Sequence, residues 1–104
     1  MKLAFIGTGK IIADALFAIE PIKEIEKTAI FARPHSKEKA EAFAKQYNIA
    51  EVYTDYEKLL TETAADTVYI GLINSAHYSY AKQALLHGKN VILEKPFTGF
   101  YNEA

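Results

Sequence analysis

Residues 2–19 read KLAFIGTGKIIADALFAI, and this stretch decides the fold class. Lys2–Ile6 is a short, mostly apolar run that Gly7 ends, which is typical of a strand buried on both faces of a parallel sheet. Beyond the second glycine, apolar residues recur at the spacing of one helix face: Ile12, Ala15, Leu16 and Ile19. Pro21 closes this helix. The stretch therefore predicts a strand, a glycine turn and an amphipathic helix.

The rest of the chain repeats this alternation. Further apolar runs predict strands at Thr28–Ala32, Glu51–Tyr53, Thr67–Leu72 and Asn90–Glu94. The connections between them have room for a helix and little else. Strands and helices that alternate in this way indicate an α/β fold with a doubly wound parallel sheet of the Rossmann type. We predict one domain over residues 1–104, with its strands in the order 3-2-1-4-5.

The second and third predicted helices have recognisable starts. Ser36 is a candidate N-cap, and the helix that follows it carries one apolar face: Ala40, Phe43, Ala44 and Tyr47. Thr54 and Glu57 have the spacing of a capping box, in which each side chain bonds the backbone N–H of the other residue. The sequence therefore predicts a third helix that opens at Thr54 and runs through Leu60.

The last predicted helix connects the fourth and fifth strands. It begins at Ser75 or His77, and Gly88 ends it as the first residue beyond the helix. Its apolar residues are predicted to share one face: Tyr78, Ala81 and Leu85.

Composition excludes several classes of protein. Among 104 residues, 12 Lys and Arg balance 13 Asp and Glu, so nothing favours nucleic acid or an anionic membrane as a partner. The absence of cysteine excludes disulfides and thiolate chemistry. The apolar run after Lys2 is too short, and too soon broken by glycine, to be a signal peptide. We expect a cytoplasmic protein.

The glycine turn carries the first functional signal. Gly7 permits a tight turn after the strand, and Gly9 lets a pyrophosphate approach the backbone. Thr8, Lys10 and Ile11 complete the turn and open the helix, whose free N–H groups attract an anion. This arrangement predicts a dinucleotide-binding loop.

One position departs from the G-x-G-x-x-G/A pattern, because its third small residue is replaced by Ile12. Ile12 also lies on the apolar face of the helix, where it can simply belong to the core. Either the helix stands away from the sheet, or the loop tolerates the larger side chain.

The end of the second strand bears on the choice of cofactor. NAD-binding proteins of this type place an Asp or Glu about 20 residues after the glycines, where it binds the ribose hydroxyls. This chain has Arg33 there, followed by His35, Ser36 and Lys37. Arginine suits a 2′-phosphate, so we favour NADP over NAD. The alternative is that Arg33 and Lys37 are ordinary solvated charges.

The segment after the fourth strand is more specific. It reads GLINSAH from Gly71 to His77, and the fifth strand ends in the triplet Glu94-Lys95-Pro96. Together with the glycine turn, this pairing resembles the N-terminal domain of the Gfo/Idh/MocA family of NAD(P)-dependent oxidoreductases. The resemblance covers essentially the whole chain.

The resemblance implies roles for named residues. Asn74 and His77, with Leu72 beside them, would line the diphosphate and nicotinamide-ribose side of the cofactor. Glu94 and Lys95 would contact the nicotinamide ribose, and Lys95 would reach the substrate hydroxyl as the catalytic residue. Family members commonly have Ser or Thr and then Pro before the asparagine, where this chain has Leu72 and Ile73. No histidine here has metal-ligand spacing, so we assign no metal site.

The resemblance also implies a second domain that this chain lacks. In the family, that domain forms most of the pocket for a sugar, polyol or similar carbinol or carbonyl substrate, and the oligomer interface. We expect a piece of such an oxidoreductase, which binds nucleotide and does not turn over, and in which Phe97, Phe100 and Tyr101 can promote self-association into homo-oligomers. The alternative is a stand-alone dinucleotide sensor or regulatory module without catalysis.

Overall fold

The computed structural model describes residues 1–71 and 74–93, with the backbone alone described for residues 74–77 and 93. Within these residues the strands are β1 (Lys2–Ile6), β2 (Glu26–Phe31), β3 (Glu51–Tyr53), β4 (Thr67–Ile70) and β5 (Asn90–Leu93). The helices are α1 (Lys10–Ile19), α2 (Lys37–Tyr47), α3 (Tyr56–Glu62) and α4 (Asn74–Leu86), and a short 3-10 turn, Pro34–Ser36, precedes α2.

The five strands form one sheet in the order β3-β2-β1-β4-β5, and every neighbouring pair is parallel. The predicted Rossmann-type topology and strand order are therefore confirmed. The chain moves outward from β1 to β3 and then crosses to β4 on the other side of β1. This reversal leaves a crevice between the connections at the carboxyl ends of β1 and β4, which is where such sheets bind ligands.

Both faces of the sheet are buried, which explains why its strands are apolar at successive positions. Leu3 and Phe5 of β1 face one core cluster, which α1 and α2 cover. Ala4 and Ile6 face the opposite cluster, which α3 and α4 cover. No helix in the described ranges is both long and apolar enough to cross a membrane.

The strand bounds agree closely with the prediction. β1 and β3 have the predicted limits, while β2 begins earlier because Glu26 pairs with Lys2 in the parallel ladder. β2 also ends one residue earlier than predicted, although the Ala32 N–H still donates to the Tyr53 carbonyl at 3.0 Å. The predicted last residues of the fourth and fifth strands are Leu72 and Glu94, and both lie outside the described residues.

Two helix starts differ from the prediction. The capping box at Thr54 is wrong, because the N-cap of α3 is Asp55, whose carboxylate accepts from the Lys58 N–H at 3.2 Å. A carboxylate one residue later in the chain reaches the first turn directly. α4 begins at Asn74, one residue before the earlier of its two predicted starts. Ser36 is the N-cap of α2 as predicted, but its side chain makes no capping hydrogen bond.

Two of the three residues predicted to form the apolar face of α4 are turned away from the sheet. Tyr78 and Leu85 are 76% and 62% exposed, whereas Ala84 is fully buried against the sheet. The helix contacts the core through Ala84, and Tyr80 and Ala81 pack beside it. The end of α4 is as predicted.

Gly88 adopts a positive φ of 77° at that end. The Gly88 N–H bonds the Leu85 carbonyl and the Lys89 N–H bonds the Ala84 carbonyl, the pair of bonds of a Schellman motif.

Candidate functional site at the carboxyl edge of the sheet

A groove of about 230 Å³ lies at the carboxyl ends of β1, β2 and β4. Three segments leave the sheet here and form its walls. One is the glycine turn after β1, the second follows β2, and the third is Gly71 after β4. The lining residues are Gly7, Thr8, Gly9, Phe31, Ala32, Arg33, His35, Ser36 and Gly71.

The two glycines of the turn are glycine for different reasons. Gly7 is buried and has a φ of 118°, a conformation that side chains rarely permit. Its N–H donates to the Phe31 carbonyl at 2.9 Å, which ties the turn to the end of β2. Gly9 has an ordinary φ of −83°, and a Cβ added there would meet no protein atom within 4 Å. The fold itself therefore does not require glycine at position 9, whereas a ligand close to the backbone would.

No side chain neutralises the positive charge at the start of α1. Gly9 is its N-cap, so no side chain caps the first turn, and that turn contains no acidic residue. Unpaired N–H groups and the positive end of the helix dipole favour an anion at such a position.

The side chains of the first helical residues point elsewhere. The Lys10 ammonium forms an exposed ion pair with Asp14 at 3.2 Å, and the Ile11 side chain lines a separate hollow with Ala15 and Tyr69.

Ile12 is fully buried, so the interpretation that it belongs to the core is confirmed. It packs with Leu3, Phe5 and Leu16 in the cluster beneath α1. The helix accommodates this large side chain because the residue opposite it, at the end of β4, is Gly71.

The second wall of the groove is polar and positively charged. The 3-10 turn folds back so that the Ser36 N–H donates to the Arg33 carbonyl at 2.8 Å. Arg33 and His35 are exposed, and no lining residue is acidic. Within residues 1–71 and 74–93, no carboxylate forms an ion pair with the Arg33 guanidinium.

The predicted site residues divide into four groups, the first of which is Lys10 and Ile11, whose side chains lie outside the groove. The groove brings together Gly7, Thr8, Gly9 and Arg33. Asn74 and His77 lie in the first turn of α4, where only the backbone is described. Leu72, Glu94 and Lys95 lie outside the described residues.

Sequence reasoning missed several lining residues: Phe31, Ala32, His35, Ser36 and Gly71. In the sequence His35 and Ser36 follow Arg33, where the pattern predicts Ser36 as a helix N-cap and assigns His35 no role. Gly71 carried a usable signal, because a glycine at the carboxyl end of a buried strand often marks a close approach between segments.

The fold and the groove agree with a comparison against protein families. Residues 1–104 match the model of the Gfo/Idh/MocA oxidoreductase family, described as an NAD-binding Rossmann fold. The chain belongs to this family. Its fold is that of the family's NAD(P)-binding Rossmann domain, as the glycine turn and the residues around Asn74 and Lys95 predicted.

Two named relatives are identical to this chain at about a third of the aligned positions. It is 32% identical over 95 residues to a trans-1,2-dihydrobenzene-1,2-diol dehydrogenase from Xenopus laevis, covering 91% of this chain and 29% of the relative. It is 34% identical over 97 residues to an NADP⁺-dependent scyllo-inositol 2-dehydrogenase from Bacillus subtilis, covering 93% of this chain and 29% of the relative. The chain thus spans less than a third of the length of these relatives.

A solved structure shares both fold and sequence. A 3-ketoreductase from Actinomadura kijaniata, in complex with TDP-benzene and NADP in an open conformation, superposes with a TM-score of 0.82 at 32% identity. The match covers 94% of this chain and 30% of that protein.

Proposed function

We propose that the groove binds NADP(H) in preference to NAD(H), as the cofactor site of an oxidoreductase that acts on a sugar, polyol or similar carbinol or carbonyl. The pyrophosphate would lie against the turn from Gly7 to Gly9. Thr8 would add its hydroxyl, while Lys10 and Ile11 would contribute backbone N–H groups from the first turn of α1. The open space at Gly9 supports this arrangement, because a side chain there would occupy the ligand's position.

One observation carries the preference for NADP. The groove joins the glycine turn to a wall that holds Arg33, His35 and Ser36 and contains no carboxylate. A carboxylate would repel a 2′-phosphate, whereas a guanidinium can bind it through two parallel hydrogen bonds. The Ser36 hydroxyl, which makes no capping bond, is a further donor on the same wall. Two of the relatives described above support this choice, since one is named for NADP⁺ and the other was solved with NADP.

The nicotinamide end of the site is assigned from the family motif. β4 and β5 run side by side and end at the same edge of the sheet as the groove. Leu72, Asn74 and His77 follow β4 in the sequence, and Glu94 and Lys95 follow β5. We assign Leu72, Asn74, His77 and Glu94 to the diphosphate and nicotinamide ribose, and Lys95 to proton transfer at the substrate hydroxyl.

The bound nicotinamide supplies the hydride chemistry, so the protein would position the nicotinamide and transfer the proton. Lys95 would take up the hydroxyl proton as a carbinol is oxidised and return it when a carbonyl is reduced. The substrate pocket would belong to a further part of the whole protein. We therefore expect the 104-residue chain to bind nucleotide without turnover. Steady oxidation of NADPH by this chain with sugar or other carbonyl substrates would contradict that expectation.

Calorimetry with NADP⁺ and NAD⁺ on the wild type and on Arg33→Ala tests the cofactor preference. Loss of a hydrogen-bonded charge costs roughly 1.5–3 kcal/mol, so we expect NADP⁺ affinity to fall by about ten- to a hundredfold. NAD⁺ affinity should change little, since NAD⁺ has no 2′-phosphate.

Lys37→Ala is the matched control. It removes a neighbouring cation that does not line the groove and that lies 3.9 Å from the Glu41 carboxylate. It should leave both affinities nearly unchanged. Equal losses for the two cofactors in Arg33→Ala would overturn the 2′-phosphate role, and a wild type that binds neither cofactor would overturn the proposed function.

A further inference from the structure

Position 71 requires glycine because there is no room for a side chain, and not because of its backbone conformation. Its φ lies outside the left-handed region in which side chains are strained. A Cβ built on it would lie 2.7 Å from Ile12 Cδ1 and 2.9 Å from Ile12 Cγ1. It would also lie 3.3 Å from Ile11 Cγ2. Carbon atoms in contact prefer a separation of about 3.5–4.0 Å, so any side chain at position 71 would collide with the start of α1.

Neither partner in this contact can move easily. The Gly71 N–H donates to the Ile6 carbonyl at 3.0 Å, which holds Gly71 in the ladder between β1 and β4. Ile12 is fully buried, and a β-branched side chain in a helix strongly prefers one χ1 rotamer. A collision would therefore displace the first turn of α1 itself.

That turn directly follows the glycine turn, which lines the groove. Ile12 is the third residue of α1, one turn from the N-cap Gly9, and Gly71 lines the groove beside the glycine turn. In the usual dinucleotide-binding fingerprint, a third small residue on the helix allows the helix to pack close to the strand. Here the helix carries a large residue, Ile12, and the strand end carries the small one, Gly71.

We propose that Gly71 and Ile12 are a pair of positioning residues that replaces the third glycine of the fingerprint. Together they set the distance between the start of α1 and the sheet, and so the place of the N–H groups that hold the dinucleotide pyrophosphate. This inference rests on the proposed function of the groove. Neither residue needs to touch the cofactor through a side chain.

The test is a double-mutant cycle on dinucleotide affinity. Gly71→Ala adds one methyl group at the contact, and Ile12→Val removes one, namely the Cδ1 atom that the new Cβ would strike first. We expect Gly71→Ala to weaken NADP⁺ binding at least about tenfold, because small displacements of binding groups carry large penalties. The double variant Gly71→Ala/Ile12→Val should recover part of the lost affinity, because it removes the contact at 2.7 Å and keeps the one at 2.9 Å. Calorimetry at a temperature well below each variant's unfolding transition measures both.

Ile30→Val is the matched control. Ile30 is also fully buried in the same cluster, but it lies on β2, with β1 between it and β4. Gly71→Ala/Ile30→Val should therefore bind as weakly as Gly71→Ala alone. If Gly71→Ala does not fold, recovery of the folded state by Ile12→Val and not by Ile30→Val gives the same support.

The outcomes separate this inference from the proposed function. Unchanged NADP⁺ affinity in Gly71→Ala would overturn the inference alone, and so would equal recovery by the two valine substitutions. A wild-type chain that binds neither dinucleotide would overturn the proposed function and the inference with it.

Discussion

Helices α1 and α4 connect neighbouring parts of the same sheet, yet they meet it in different ways. α1 buries Ile12 and Leu16 completely against the sheet and leaves Phe17 as its one large, strongly exposed apolar residue. α4 buries only the small Ala84 completely, among the residues whose side chains are described, and leaves three large apolar residues mostly exposed: Tyr78, Leu85 and Leu86. The large apolar residues of α1 are mostly buried in the described core, whereas those of α4 are mostly exposed.

The difference shows what an apolar helical pattern can and cannot predict. For α1 the apolar residues face the sheet, where Ile12 and Leu16 lie in one cluster with Leu3 and Phe5 of β1. For α4 an aromatic contact adds to the packing against β4 and β5. The Tyr80 ring lies 4.5 Å from the Tyr56 ring, and the Tyr56 hydroxyl donates to the Tyr80 carbonyl at 2.8 Å. An apolar residue on a helix therefore indicates a buried position only where the sheet supplies a surface opposite it.

The sharpest test of this comparison makes the same substitution in both helices. Leu16→Ala removes a fully buried side chain and should lower the free energy of unfolding by about 2–5 kcal/mol. Leu86→Ala acts on a side chain that is 76% exposed and should change it by less than about 0.5 kcal/mol. Urea denaturation of both variants measures the two values. Similar costs would mean that α4 is packed as tightly as α1.

Glycines at the two helix ends provide a second test. Gly88 ends α4 at a φ of 77°, so Gly88→Ala should cost about 1–2 kcal/mol of stability and leave nucleotide affinity unchanged. Gly9 opens α1 with an ordinary φ, so Gly9→Ala should cost less stability and weaken dinucleotide binding at least about tenfold. Thermal unfolding and calorimetry on the same samples separate the two effects. A Gly9→Ala chain with wild-type affinity would contradict the close approach of the pyrophosphate.

The hydroxyl that links α3 to α4 has a smaller effect. Tyr56→Phe removes the hydrogen bond to the Tyr80 carbonyl and should cost about 1 kcal/mol at neutral pH. Burial, followed by the charge interaction with Tyr80, raises the pKa of Tyr56 in the folded chain. The folded state thus resists ionisation of this tyrosine more than the unfolded chain does.

The sign of the pH dependence follows from that shift. The stability of the folded chain that depends on a protonated Tyr56 is fully present below the unfolded tyrosine pKa of about 10. It is lost as the pH rises above that value. Tyr56→Phe should therefore lose less stability than the wild type between neutral pH and about pH 11 in urea titrations. Tyr78→Phe, which changes an exposed tyrosine on the outer face of α4, is the control and should follow the wild type. Parallel pH curves for wild type and Tyr56→Phe would contradict the effect of burial.

The smallest expected change in the free energy of unfolding comes from a substitution of Leu86, on the outer face of α4. Leu86→Lys should change the free energy of unfolding by less than about 0.5 kcal/mol, because the side chain already contacts solvent. It should instead reduce self-association at high concentration, since a charge interrupts the apolar patch formed with Tyr78 and Leu85. Sedimentation velocity of the two chains over a range of concentrations measures this. A clear loss of stability would show that Leu86 contributes to the core.

Most of the fold could be predicted from local patterns. The limits of β1 and β3, the left-handed glycine at the end of α4 and the strand order all agreed with the structure. The errors have local causes as well. The cap of α3 was assigned to Thr54, although the neighbouring Asp55 offers a carboxylate at a competing position.

The candidate site was predicted in part. The glycine turn and Arg33 were found, because a turn between strand and helix and a charge at a strand end are visible in the sequence. His35 and Ser36 reach the groove only through the 3-10 turn that folds back on Arg33. A glycine at the end of a strand signals a close approach at Gly71, but Ile12 could not be predicted as its partner, because the two residues lie far apart in the chain.

The sequence by itself determined the alternation of strands and helices, the doubly wound parallel sheet, the family and the dinucleotide turn. These features depend on residues that are close together in the chain, through helical period, turn conformation and the length of each apolar run. The tertiary structure decided which face of α4 meets the sheet, which residues form the second wall of the groove, and how the fold accommodates Ile12. Those features depend on the distances between segments that only the folded sheet brings together, so a large side chain on α1 is accommodated by a glycine that follows β4.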